Sequence, residues 1–217
     1  MNGARREPFL AWPGGEHLKF AAGRILLVSL WFALIFGGAD WLTAQRVLRV
    51  RIHMDWELGL PLLPEFTLAY MSIYAVFLAV PFVLRTRLEL ESLAREQATA
   101  IALAGVGFLL LPADLAYAPP ANLGGWEPLF RFADWLNLDH NLVPSLHVAL
   151  SVICLEHFAP HATTTGAWLL RGWGVLIAVS TLLTHQHHFL DVVMGYALAL
   201  GVVWQGRRTE LHLPCVI

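Results

Sequence analysis

The stretch GAWLLRGWGVLIAVSTLLTHQHHFLDVVMGYALALGVVWQG, residues 166–206, holds two apolar runs, Gly166 to Leu183 and Phe189 to Gly206. A short polar joint, Thr184-His185-Gln186-His187-His188, separates them. Each run is close to the roughly 20 residues that a helix needs to cross bilayer hydrocarbon. The pair therefore reads as two membrane-crossing helices with a histidine-rich loop at one water boundary. Working outward, four more apolar stretches can be marked: Ala21 to Ala39, Leu62 to Leu84, Ala98 to Leu111 and Ser145 to Ala159. The last two are short and are expected to extend into their flanks. The expected fold class is all-α, a polytopic membrane helix bundle with six transmembrane helices, forming one domain over residues 1–217.

Composition points the same way. Hydrophobic residues make up 57% of the chain and charged residues 14%, with a mean hydropathy of +0.59. Soluble domains carry about 25% charged residues, so a bilayer protein is indicated before any motif is read. No basic block suggests nucleic acid, and the expected partner is the bilayer. Cys154 and Cys215 are too isolated for a disulfide framework or a zinc site. No cleavable signal peptide follows Arg5 and Arg6, so the first apolar run reads as a retained span.

Cations set the orientation. With the N-terminus inside, the inner segments hold Arg5, Arg6, Lys19, Arg24, Arg85, Arg87, Arg95, Arg171, Arg207 and Arg208, against Arg46, Arg49, Arg51 and Arg131 outside. This bias favours both termini in the cytoplasm. The 112–143 connection and the His-rich loop then share the outer face. Gln45 to Trp56 mixes cations with apolar residues and is expected to lie flat at the interface. Pro112 to Val143, with Trp126, Phe130, Phe132 and Trp135, reads as a cover over the outer helix ends.

Two constellations carry chemistry, within residues 141–147 and 180–191. In Asn141-Leu-Val-Pro144-Ser145-Leu146-His147 a helix begins at proline, whose missing N–H goes unneeded in a first turn. The next N–H groups, the Ser145 hydroxyl and the positive end of the helix dipole suit an anion, with the His147 imidazole beside them. In the second, His187 and Asp191 are four apart and share one helix face. A carboxylate there fixes the imidazole tautomer and leaves the other ring nitrogen as a nucleophile. An aspartate just inside a span is costly without such a partner.

Pro144-Ser-Leu-His147 together with Thr184-His-Gln-His187-His-Phe-Leu-Asp191 resembles the second and third signature motifs of the type 2 phosphatidic acid phosphatase (PAP2) superfamily. The third is closest to the branch that includes inositol phosphorylceramide synthases. The resemblance implies a PAP2-like fold and a lipid phosphate substrate, handled without metal or cofactor in the inner membrane with the active site outward. It implies that His187 attacks phosphorus, Asp191 orients it, and His147 protonates the leaving alcohol. Ser145 and the adjacent backbone would hold the phosphoryl oxygens, with Asn141 close by. The chain departs from the pattern in its cations. Leu111 to Pro120 lacks the first motif's lysine and arginine, Thr181 stands for the third motif's arginine, and His185 for its lysine. Arg131 and His185 are the leading candidates to bind substrate in their place, ahead of His140, Arg49 and Arg51.

The expected function is hydrolysis of a lipid phosphate monoester or diphosphate through a phosphohistidine. The alternatives are a phosphotransferase moving a headgroup between lipids and a non-catalytic lipid-phosphate binder. The plainer alternatives are that His187 and Asp191 pin two helices together and that Ser145 merely caps one. Zinc is disfavoured because adjacent His187 and His188 point to different sides of a helix. Glu156 and Arg171 are expected to snorkel or to pair with each other.

Overall fold

Residues 8–120, 122–138 and 140–212 are described by a computed structural model, and the expectations resting on Arg5, Arg6 and Cys215 lie outside them. The described residues form seven α-helices and no strand: α1 (Gly15–Ala44), α2 (Thr67–Val83), α3 (Arg87–Leu110), α4 (Glu127–Leu136), α5 (Leu146–Phe158), α6 (Thr164–Leu183) and α7 (Phe189–His212). Five helices are long and apolar enough to cross a membrane: α1, α2 with the preceding turn from Pro64, α3, α6 and α7. Exposed leucines such as Leu26, Leu30 and Leu34 on α1, with Trp168 on α6 and Trp204 on α7, clothe the outside of the bundle. Apolar surface on that scale suits lipid and not water.

The fourth apolar stretch departs from expectation. It becomes α5, a helix of 13 residues. At a rise of about 1.5 Å per residue that is roughly 20 Å, short of the ~30 Å hydrocarbon core. Every α5 residue except His147 and His157 is buried, among α2, α3, α6 and α7. It is apolar on all sides because it is enclosed on all sides.

The third stretch grows instead, reaching back to Arg87. The polar residues that hid this extension are paired. Thr86 and Glu89 form a reciprocal capping box, with Thr86 Oγ1 accepting from the Glu89 N–H at 3.1 Å. Glu91 meets Arg24 at 3.2 Å, and Glu96 meets His157 at 3.0 Å. Glu156 accepts from Arg171 at 2.7 Å, as expected, and from Arg207 at 2.9 Å. These pairs gather at one end of the bundle.

The opposite end brings the two constellations together. Gly107 of α3 and Gly195 of α7 let the start of α5 lie against both helices. A Cβ on Gly107 would sit 2.7 Å from Pro144 Cδ and 2.8 Å from the Val143 carbonyl, and one on Gly195 would meet the Ser145 carbonyl. Around this point the two long connections fold over each other. Gln45 to Met54 is irregular, and its Val50 N–H donates to the Pro112 carbonyl at 2.7 Å. Ile52 packs with Ala113, Leu142 and Val143 in a small core of their own. In the 112–143 connection α4 buries Phe130 and Ala133 and turns Phe132 and Trp135 outward.

Candidate active site

The loop between α6 and α7 is built by the Thr181 carbonyl, which accepts from the Gln186 N–H at 2.9 Å and the His187 N–H at 3.2 Å. His185 takes a left-handed backbone (φ 56°), which turns the chain within this short loop. The start of α7 then satisfies its free N–H groups with carboxylates. Asp191 Oδ2 accepts from the His188 N–H at 2.8 Å, and Glu57 Oε2 accepts from the Phe189 N–H at 2.6 Å. Negative charge at a helix N-terminus is favourable in both charge and hydrogen bonding.

The same Asp191 oxygen lies 3.3 Å from His187 Nδ1, which leaves His187 Nε2 unoccupied. His147 is held in the complementary way. Its Nε2 donates to the Tyr70 carbonyl at 2.9 Å, and its ring stacks on the Tyr70 ring with centroids 3.9 Å apart. Nδ1 of His147 is thereby the free nitrogen. Both imidazoles line a single cavity of about 500 Å³. Asn137, Asn141, Gln186 and Asp134 line it as well. Tyr70 Oη donates to Asn137 Oδ1 at 2.8 Å, and Asn137 Nδ2 donates to Gln186 Oε1. Buried Asn141 donates to the Phe36 carbonyl at 2.6 Å, and its Oδ1 has no partner.

The remaining candidates sit elsewhere. Ser145 is fully buried outside the cavity lining; its hydroxyl accepts from the Val148 N–H at 3.3 Å, so it caps α5. Its own N–H donates to the Asp191 carbonyl at 3.0 Å and is not open to an anion. Pro144 precedes this cap and is not the first helical residue. His185 stacks on Tyr117 with centroids 4.0 Å apart and bonds the Leu60 carbonyl at 3.1 Å, away from the cavity. Arg131 lies on α4, 3.7 Å from Glu127 and outside the lining. Arg49 and His140 both reach Asp114 at 2.9 Å, and Arg51 pairs with Asp55.

Behind His187 is a second buried layer. His188 and Glu57 are fully buried, with His188 Nδ1 3.6 Å from Glu57 Oε2 and its Nε2 accepting from the Ala116 N–H at 3.1 Å. Burial holds His188 below the ordinary histidine range, against the pull of Asp191 and Glu57. Burial also lowers His185, opposed by its Leu60 bond. The Tyr117 phenol is raised by burial and by nearby Glu57 and Asp191. Among the described residues no group of three or more His, Cys, Asp or Glu is placed to hold a metal ion.

Tyr70, Asp134, Asn137 and Glu57 were not singled out from sequence. Tyr70 and Glu57 come from segments remote from both motifs, while Asp134 and Asn137 stand just before the 141–147 constellation, and no local spacing marks any of the four. Gln186 did stand inside the third-motif stretch.

No protein-family model matches the chain, and no solved structure matches it.

Proposed function

We propose that the chain is a lipid-phosphate phosphatase of the outer membrane face, working through a phosphohistidine on His187. One observation carries the reading: two imidazoles, one from α5 and one from the loop before α7, line one cavity, each with one nitrogen bound to protein and the other free. In this chemistry His187 Nε2 attacks phosphorus and the bond from phosphorus to the lipid oxygen breaks. His147, as the imidazolium with its Nε2–H on the Tyr70 carbonyl, delivers its Nδ1 proton to that oxygen, and the dephosphorylated lipid leaves. Water then attacks the phosphohistidine, passes a proton to His147, and releases inorganic phosphate and free His187. Asp191 holds the His187 tautomer and offsets the positive charge that develops on the ring. The six-span topology, with α5 as a short span inside its neighbours, and both termini in the cytoplasm belong to this reading. So does membership in the PAP2 superfamily.

A second reading has its own support. The lining at the histidine end is amides and the Asp134 carboxylate, and the one Arg or Lys among the lining residues, Arg24, is at the far end. Fixed positive charge is a large part of catalysis on doubly charged phosphate monoesters. A singly charged phosphodiester needs less of it, which favours a headgroup transferase whose acceptor alcohol takes the place of water. The unpartnered Asn141 Oδ1 is a fitting acceptor for that hydroxyl.

Purified protein incubated with phosphate-labelled phosphatidic acid tests the first reading. Release of inorganic phosphate is expected, with a labelled phosphoprotein trapped at neutral quench in the wild type and not in His187→Ala. Label moving from a phosphodiester lipid to a second lipid instead establishes the transferase. Absence of both products and of any phosphoprotein ends both readings.

A further inference from the structure

The cavity continues well past the histidines. Its lining runs along α1 from Phe36 to Ala21, about 22 Å at the helical rise, and reaches the inner end of the bundle. The character of the wall changes on the way. Beyond the amides at the histidine end it is Phe32, Ile73, Phe77, Leu93 and Ile101, and Arg24 stands at the far limit. The gap exists because α1 lies against α3 along its length and meets α2 little. A polar head joined to a long apolar limb has the outline of an amphiphile.

We propose that this limb binds one hydrocarbon chain of the phosphate-bearing lipid, and that the Arg24–Glu91 pair at its floor limits the chain length accepted. The proposal rests on the phosphate being handled at the histidine end. The whole cavity, about 500 Å³, is in the range of about 300–1,000 Å³ that one small ligand fills. That leaves room for one chain beside a headgroup. The walls are apolar at hydrocarbon depth, so a chain gains burial there while its phosphate stays level with His147 and His187. At the floor, a longer chain would strip solvent from the Arg24–Glu91 pair, half-exposed and 3.2 Å apart, which is costly for charges.

Octanoyl and oleoyl lysophosphatidic acid, presented in phosphatidylcholine nanodiscs, test this. Val28→Trp places an indole in the limb from α1. It is expected to lower the oleoyl-to-octanoyl ratio of phosphate release by on the order of tenfold. Leu30→Trp, on the outward side of α1, is expected to leave the ratio as it is. An unchanged ratio in Val28→Trp, or an equal fall in Leu30→Trp, overturns the proposal. Crosslinking by a diazirine-bearing oleoyl lysophosphatidic acid reads the site without turnover, in wild type and in His187→Ala. Adducts on α2 and α3 at lining residues support the chain site; adducts confined to the outer faces of α1 and α6 refute it. If the wild type releases no phosphate from either lipid, the phosphatase reading fails and the adduct positions alone decide the chain site.

Discussion

The Ser145 N–H donates to the Asp191 carbonyl at 3.0 Å, so the start of α5 is fastened to the first turn of α7. This bond brings the two histidine-bearing segments to one cavity. It depends on Gly195, one turn along α7, where any Cβ meets the Ser145 carbonyl. Gly195→Ala is therefore expected to lower stability by about 1–3 kcal/mol, as overpacking does in a close-packed interior, and to reduce turnover. Gly201, on the same helix, has open space around it. Gly201→Ala is expected to be neutral or to stabilise by up to about 1 kcal/mol. Melting of both variants in detergent checks the pair; equal melting temperatures would show that the close approach carries no constraint.

Asp191→Asn keeps the size of a fully buried side chain and removes its charge. Phosphate release is expected to fall on the order of a hundredfold to ten-thousandfold, as when an imidazole loses the carboxylate that sets its tautomer. Rates equal to wild type would remove Asp191 from the mechanism.

Arg131 and His185 lie outside the cavity, bound to Glu127 and to Leu60 with Tyr117. Arg131→Ala is expected to retain turnover within about twofold, since an exposed ion pair is worth at most about 1 kcal/mol. A large loss with Arg131→Ala would restore the role that its sequence position suggests.

Glu57 joins the 55–59 turn to α7 by accepting from the Met54 N–H and the Phe189 N–H, both at 2.6 Å. Glu57→Gln replaces one buried acceptor by a donor facing a donor. A destabilisation of about 1–3 kcal/mol is expected, measured by thermal melting with and without a lipid ligand. Glu57→Asp, which is too short to span both bonds, should be no better.

Burial holds His185 and His188 below the ordinary histidine range. The unfolded chain, with histidines near about 6.5, therefore takes up these protons first as pH falls. Their contribution to stability is full above that value and is lost as pH drops below it toward their folded pKa. Melting temperature is expected to decline from about pH 6.5 to about pH 5, with a shallower slope in the His185→Gln/His188→Gln double variant. A double variant with the wild-type slope would assign the acid sensitivity to other groups.

The His187–Asp191 contact was readable in the chain from its short spacing, but not as one helix face: α7 begins at Phe189, so His187 stands in the loop and Asp191 reaches back to it from the first turn. The Glu156–Arg171 contact was readable for a similar reason: an ion pair between neighbouring helices is the cheapest way to carry charge there. Ser145 shows the limit. Its place at a helix start was evident, yet whether its N–H faces a ligand or another helix depends on how closely α7 approaches, and Gly195 lets it approach closely.

By itself the sequence determined that the chain is an apolar helical bundle with two histidines at helix starts. Hydropathy and helical period are properties of consecutive residues, and these suffice for both conclusions. Only the tertiary structure decided that α5 is a short, enclosed helix and that the Tyr70 carbonyl occupies one nitrogen of His147. It also decided that Asn137 and Gln186, not Arg131 and His185, reach the cavity. Those contacts join residues that are far apart in the chain, so they follow from helix packing and leave no local trace.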